Sequence, residues 1–304
     1  MPKKEFLIPS SGADQRLDLF VSSCIQELSR SRIQKLIEKG DIKVNGQIKK
    51  SSYKLRAEDR VEAEYDLYPA QEIEPENIPL HVVHQDQHIL IIDKPSGMVV
   101  HPGAGKKSGT LVNALLYNFP DLQDIGAEER PGIVHRLDKE TSGLMVVAHS
   151  IKAFHSLQQQ FKGRKVEKLY LGLIWGKMPD RKGEISWSVG RHPKYGQRVS
   201  IKTKKPRPAH TRYAVLEEYT ESSLLEIKPI TGRTHQIRVH FASAGHPVVG
   251  DTRYGGKKAR FKIPRLFLHA CGLSFFHPET GKRVKFSSPL PEELKDFLKQ
   301  KIKH

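Results

Sequence analysis

GIVHRLDKETSGLMVVA, residues 132–148, sets a largely polar run between two apolar ones. Leu144–Ala148 is an unbroken apolar stretch of strand length, and Asp138 stands in the polar run ahead of it. An acid in that place has an ordinary role, an Asx-turn in which the side chain caps its own backbone. It also has a chemical one, as a base or nucleophile. Asp138 and Glu140 are two residues apart, so they point apart in an extended chain, which argues against a glycosidase pair acting in concert. On either side the apolar runs are again short. Val82–Val83, Ile89–Ile92, Lys168–Trp175, Arg212–Glu217, Ser223–Ile227 and Gly272–Phe276 read as strands. Ile151–Phe161 reads as an amphipathic helix, with Ala153, Phe154, Leu157 and Phe161 on one side, and a second helix follows Pro291. Many strands with few helices between them predict an α+β domain with a largely antiparallel sheet from about residue 79 onward.

The first part of the chain is organised differently. With 304 residues, about two domains are expected. Residues 1–10 read as a tail and residues 11–68 as a compact module. In that module a helix runs to Glu38, with Ile33, Leu36 and Ile37 on one face, a serine cap and Gly40 as the stop. Ile42–Val44, Asn45-Gly46 and Gln47–Lys49 then read as strand, tight turn and strand, and Arg60–Tyr65 as another strand. Residues 69–78, with Pro69 and Pro75, read as a linker.

Charge narrows the function. Lys and Arg number 51 against 34 Asp and Glu, a net charge of +17. The excess is concentrated: residues 30–56, 191–213 and 252–265 are each rich in Lys and Arg and poor in acids. One such run is usually a solvated face. Three in different segments suit a long phosphate backbone, so nucleic acid is the expected partner. No window has the roughly 18 apolar residues of a membrane span. The first residues, MPKKEFLIPSS, lack the apolar core of a signal peptide, and there are only two cysteines, Cys24 and Cys271. Those features predict a cytoplasmic protein without a disulfide framework. Phosphate-binding loops, a dinucleotide fingerprint, HExxH and CxxC are absent from the sequence, so no cofactor and no metal are expected.

A second unusual run is ITGRTHQIRVH, residues 230–240. It puts Arg233 after a glycine turn and Arg238 in a following regular element. Two surface arginines are the plain reading; the functional one is a guanidinium that keeps a buried carboxylate ionised. Tyr170 falls in the alternating run Lys168–Trp175, where an aromatic side chain commonly packs across strands.

VHRLDKETSG, IDKPSGMVVHPGAG, KLYLGLIWG, GRTHQIRVHFASAGHPVVGDTRYGG and FLHACGLSFFHP together resemble the motifs of the RluA/RluD family of RNA pseudouridine synthases, in that order. SRSRIQKLIEKGDIKVNG, residues 29–46, resembles the S4 RNA-binding module (αL type) that precedes the catalytic domain in RluD-like members. A small departure is Asp93, where many members have Asn. The resemblance implies an S4 module followed, from residue 79 to 304, by a catalytic domain with a central mixed, mainly antiparallel sheet. It implies Asp138 as the essential aspartate, Tyr170 as the aromatic that packs on the target base, and Arg233 as the partner of the aspartate. Arg136 corresponds to a basic residue that fills the place of the extruded uridine. Arg30, Arg32, Lys35 and Arg238 are expected to bind RNA. The implied reaction converts uridine to pseudouridine after base flipping, with large-subunit ribosomal RNA or a pre-ribosomal particle as substrate and a monomeric enzyme. Transfer RNA is the alternative substrate, and a non-catalytic S4-type ribosome-assembly factor the alternative class.

Overall fold

The structure is a computed structural model that describes all residues except 1–2, 26–27, 29, 66–72, 104–105, 127–129, 194, 196–197, 257–264 and 303–304. The chain divides into two units, residues 1–72 and residues 73–126 with 130–304.

The first unit contains β1 (Lys3–Leu7), α1 (Leu17–Cys24), α2 (Arg30–Lys39), β2 (Ile42–Val44) and β3 (Arg60–Glu64). The three strands form an antiparallel sheet in the order β1-β3-β2. Within the expected tail, Lys3–Leu7 instead forms a strand: Phe6 pairs with Val61, so β1 completes the sheet edge. Gln47–Lys49 makes a single bridge to Val44 in place of the expected strand. Ile33 and Ile37 of α2 are fully buried against Leu17, Val21, Ile42 and Val61, as their spacing requires.

Asp18, wholly buried, ties α1 to α2. Its carboxylate accepts hydrogen bonds from Arg16 Nε (2.9 Å), Arg30 Nη2 (2.8 Å) and Gln34 Nε2 (2.6 Å). Burial raises the carboxyl pKa, but these three donors outweigh it and hold the group far below the usual carboxylate range. Arg30, expected on RNA, pairs with this buried carboxylate while its own side chain stays half exposed. Lys35 is exposed, whereas the side chain of Arg32 lies outside the described residues.

The second unit contains β4 (His81–Gln85), β5 (Ile89–Lys94), α3 (Leu111–Asn118), β6 (Ser142–Ala148), α4 (Ile151–Lys162), β7 (Glu167–Trp175) and β8 (Lys182–Ile185). It continues with β9 (Gly190–Arg191), β10 (Val199–Ser200), β11 (Thr211–Glu218), β12 (Ser222–Pro229), α5 (Gln236–Ser243), β13 (Leu268–Phe276), β14 (Arg283–Ser287) and α6 (Glu292–Ile302). Nine strands form one sheet in the order β4-β5-β6-β13-β7-β12-β11-β8, with β14 also on β13, while β9 and β10 pair separately. Among the described residues only the β6–β13 pair of this sheet runs parallel, so the sheet is mixed and mainly antiparallel. At that parallel contact Gly143 (φ +117°) lies against Ala270; a Cβ there would stand 2.3 Å from the Ala270 carbonyl oxygen, and only glycine permits the approach. Every residue of β6 is buried, and Ala153 and Leu157 of α4 share a core with it. No helix among the described residues is long and apolar enough to cross a membrane.

Candidate active site

The loop that carries Asp138 leaves β6 at Ser142 and is held by its backbone. Thr141 N–H donates to the Asp138 carbonyl at 3.2 Å, closing a turn. Gly97 N–H and the Lys94 ammonium both donate to the Lys139 carbonyl, at 2.8 and 3.3 Å, and Ser96 Oγ donates to the Glu140 carbonyl at 2.7 Å. The Asp138 carboxylate makes no hydrogen bond to its own turn, so the Asx-turn role does not apply. Its side chain is 17% exposed and lines a cavity of about 490 Å³, within the usual range for ligand sites of about 300–1,000 Å³.

Arg238, in the first turn of α5, faces that carboxylate: Nη1 lies 3.5 Å from Asp138 Oδ2 and 3.5 Å from Glu140 Oε2. The rest of its guanidinium is spent on Asp251, with Nε to Oδ2 at 2.7 Å and Nη2 to Oδ1 at 3.0 Å. Asp251 in turn accepts from the backbone N–H of Arg253 and Tyr254, both at 2.9 Å. Burial works against the charge of Arg238, but Asp251 and Asp138 outweigh it and raise the pKa further. Expected as an RNA contact, Arg238 is 4% exposed at its side chain and faces carboxylates instead.

Arg233 does not pair with Asp138. It belongs to the turn ahead of α5, and its Nε donates to the Pro208 carbonyl at 3.3 Å. It lines the cavity together with Arg136, Lys162, Arg164 and Lys168, a basic set around one acid. The helix begins between the two arginines and turns only Arg238 toward the carboxylate.

Tyr170 and Lys168 lie two apart on β7 and therefore on one face of the strand, and both line the cavity. Tyr170 is 8% exposed; burial, and next the charge of Asp138, push its pKa up, so the phenol keeps its proton. Lys168 has no carboxylate partner among the described residues, and burial pushes its pKa down to about 8. His235 also lines the cavity, with Nε2 3.9 Å from Asp138 Oδ1. Sequence reasoning passed over Lys168, His235 and Asp251. For Lys168 the signal was there, the two-residue spacing to Tyr170. Asp251 stood within the motif that runs from Gly232 to Gly256, but no spacing tied it to Arg238.

The chain matches two family models: RNA pseudouridylate synthase over residues 88–243 and the S4 domain over residues 15–61. It is 44% identical to an "Uncharacterized RNA pseudouridine synthase" of Aquifex aeolicus, covering 93% of both chains. It is 41% identical to the "Ribosomal large subunit pseudouridine synthase D" of Pseudomonas aeruginosa, over 96% of this chain and 92% of the relative. Among solved structures, human RNA pseudouridylate synthase domain containing 1 superposes with a TM-score of 0.58 at 28% identity, covering 78% of this chain and 98% of the human one. An aspartate set against a buried arginine, an aromatic and a basic rim, on this sheet and preceded by an S4 module, places the chain in the RNA pseudouridylate synthase family.

Proposed function

We propose that this enzyme isomerises specific uridines of large-subunit ribosomal RNA to pseudouridine, with Asp138 as the reacting carboxylate. The N1–C1′ bond of the nucleotide breaks, uracil turns within the cavity, and C5 bonds to C1′. N1 gains a proton and C5 loses one to water, so the reaction is redox-neutral. The observation that carries this reading is the Asp138 carboxylate, lining a nucleotide-sized cavity, free of its own turn and set against Arg238. A base inside a helix is out of reach, so the nucleotide has to flip out, which costs a few kcal/mol. Contacts between phosphates and the basic rim offset that cost. Tyr170, an aromatic that retains its proton, supplies a face for the flipped base. Arg136, exposed at the cavity, is placed to enter the stack that the uridine leaves. The ribosomal substrate rests on the likeness to the Pseudomonas relative and on the S4 domain.

The test is tritium release from RNA labelled at uridine C5, with large-subunit rRNA and a tRNA pool offered separately. Release from the rRNA is expected. Release from tRNA alone would move the substrate, and release from neither would reject the reading.

A further inference from the structure

His235 stands at a point where the fold accepts an unfavourable backbone. It precedes α5 with φ 53° and ψ 20°, the left-handed region that a side chain with a β-carbon seldom occupies. That conformation turns the imidazole inward, where it is 14% exposed. Nδ1 lies 2.7 Å from the hydroxyl of Tyr254, whose ring meets the imidazole edge-on at 5.6 Å. The Tyr254 oxygen already accepts the backbone N–H of Val199 at 3.1 Å. With one lone pair so occupied, the hydroxyl hydrogen can be directed to His235 Nδ1, and in that arrangement Nδ1 is the acceptor. A neutral imidazole with an accepting Nδ1 carries its hydrogen on Nε2, the nitrogen that faces Asp138. Burial, the largest influence, lowers the imidazole pKa against the pull of Asp138, which keeps the ring neutral.

The two oxygens of Asp138 therefore have different neighbours. Oδ2 faces Arg238, and Oδ1 faces His235. We propose that His235 is a positioning residue for Asp138: its Nε2–H, fixed as a donor by the Tyr254 hydroxyl, orients the carboxylate oxygen that Arg238 leaves open. At 3.9 Å the pair is longer than a hydrogen bond, and such contacts close when substrate fills a site. Tyr254 follows Asp251, which grips Arg238, so one short loop sets both neighbours of the aspartate. The strained backbone is maintained because it aims the ring at the reacting group.

This inference rests on the proposed reaction, so wild type and Asp138→Asn frame its test. Single-turnover tritium release at saturating enzyme would be measured alongside the Kd for the same RNA. The variants are Tyr254→Phe, His235→Ala and His235→Gln, each checked for a wild-type melting transition. Tyr254→Phe keeps the imidazole but frees its tautomer, and about a tenfold slower release is expected, the worth of one hydrogen bond to a charged group. His235→Ala is expected to lose more, and His235→Gln, whose amide restores an N–H donor, to recover most of the loss. In all three the Kd stays within about twofold of wild type. Should His235→Ala fail to fold, Tyr254→Phe decides alone. Release by Tyr254→Phe and His235→Ala within twofold of wild type would overturn the proposal. So would a loss found in Kd and not in rate, or a glutamine variant no faster than alanine. A silent wild type would instead overturn the reaction itself, and with it this inference.

Discussion

Asp138 sits among charges that the rest of the site has already sorted. Arg238 gives two nitrogens to Asp251 and turns the third toward Asp138, so one guanidinium is both anchored and available. Lys168 has no such anchor. Burial brings its pKa down to about 8, and among the described residues no carboxylate stands within ion-pair distance of it. An ammonium left in that state suits a ligand rich in acceptors, such as the phosphate or carbonyl oxygens of a nucleotide. A lowered lysine pKa means that the charge is present below about 8 and lost above it. RNA affinity is therefore expected to weaken as pH rises through 8, and Lys168→Met to bind more weakly at pH 7 and to lack that step. A fluorescence-anisotropy titration of one stem-loop RNA between pH 6.5 and 9.5 measures both; identical profiles for the two proteins would remove Lys168 from the RNA contact.

At the level of elements, the loop from Ile133 to Thr141 is clamped from two sides. Lys94, fully buried at the end of β5, donates to the carbonyls of Pro95, Met98 and Lys139. His135 accepts the Val146 N–H at 3.0 Å and stacks on Phe161 of α4, centroids 4.6 Å apart. Burial, with a smaller push from Lys168, takes the His135 pKa down to about 3. The unfolded chain takes up a proton near pH 6.5 that the folded loop refuses until about 3, so stability falls as pH drops through that window. His135→Phe keeps the stacking but strands the Val146 N–H, costing about 1–3 kcal/mol near pH 7. It is expected to lose less than wild type between pH 6.5 and 4, read from urea midpoints; parallel losses would contradict a neutral His135. These elements also show what a sequence reveals. Alternation or unbroken apolar runs betrayed seven of the nine strands of the large sheet, but not β8 and β14, and the turn before β6 drew attention to Asp138. The segment Ile237–Phe241 also places apolar residues at every second position, a strand-like pattern, yet it is helical. All of Gln236–Phe241 is buried, so the helix has no polar face to reveal its period. That is why Arg233 and Arg238 could not be told apart by spacing. In β1 the reason is opposite: Lys3, Lys4 and Glu5 leave an edge strand with little apolar signal.

For the whole molecule, binding and chemistry draw on different parts. A net charge of +17, distributed over several acid-poor segments of both units, supplies affinity without any one residue deciding it. The acid at the cavity adds nothing to that attraction. Removing the negative charge of Asp138 is therefore expected to leave RNA affinity and its salt dependence near wild type while ending the reaction. The direct measurement is pseudouridine formed by Asp138→Asn in a single turnover, with the labelled RNA fully bound and Kd taken at several salt concentrations. No product with a Kd within about threefold of wild type is the expected result. Product formed at a rate within tenfold of wild type would contradict the assignment of Asp138 as the reacting carboxylate.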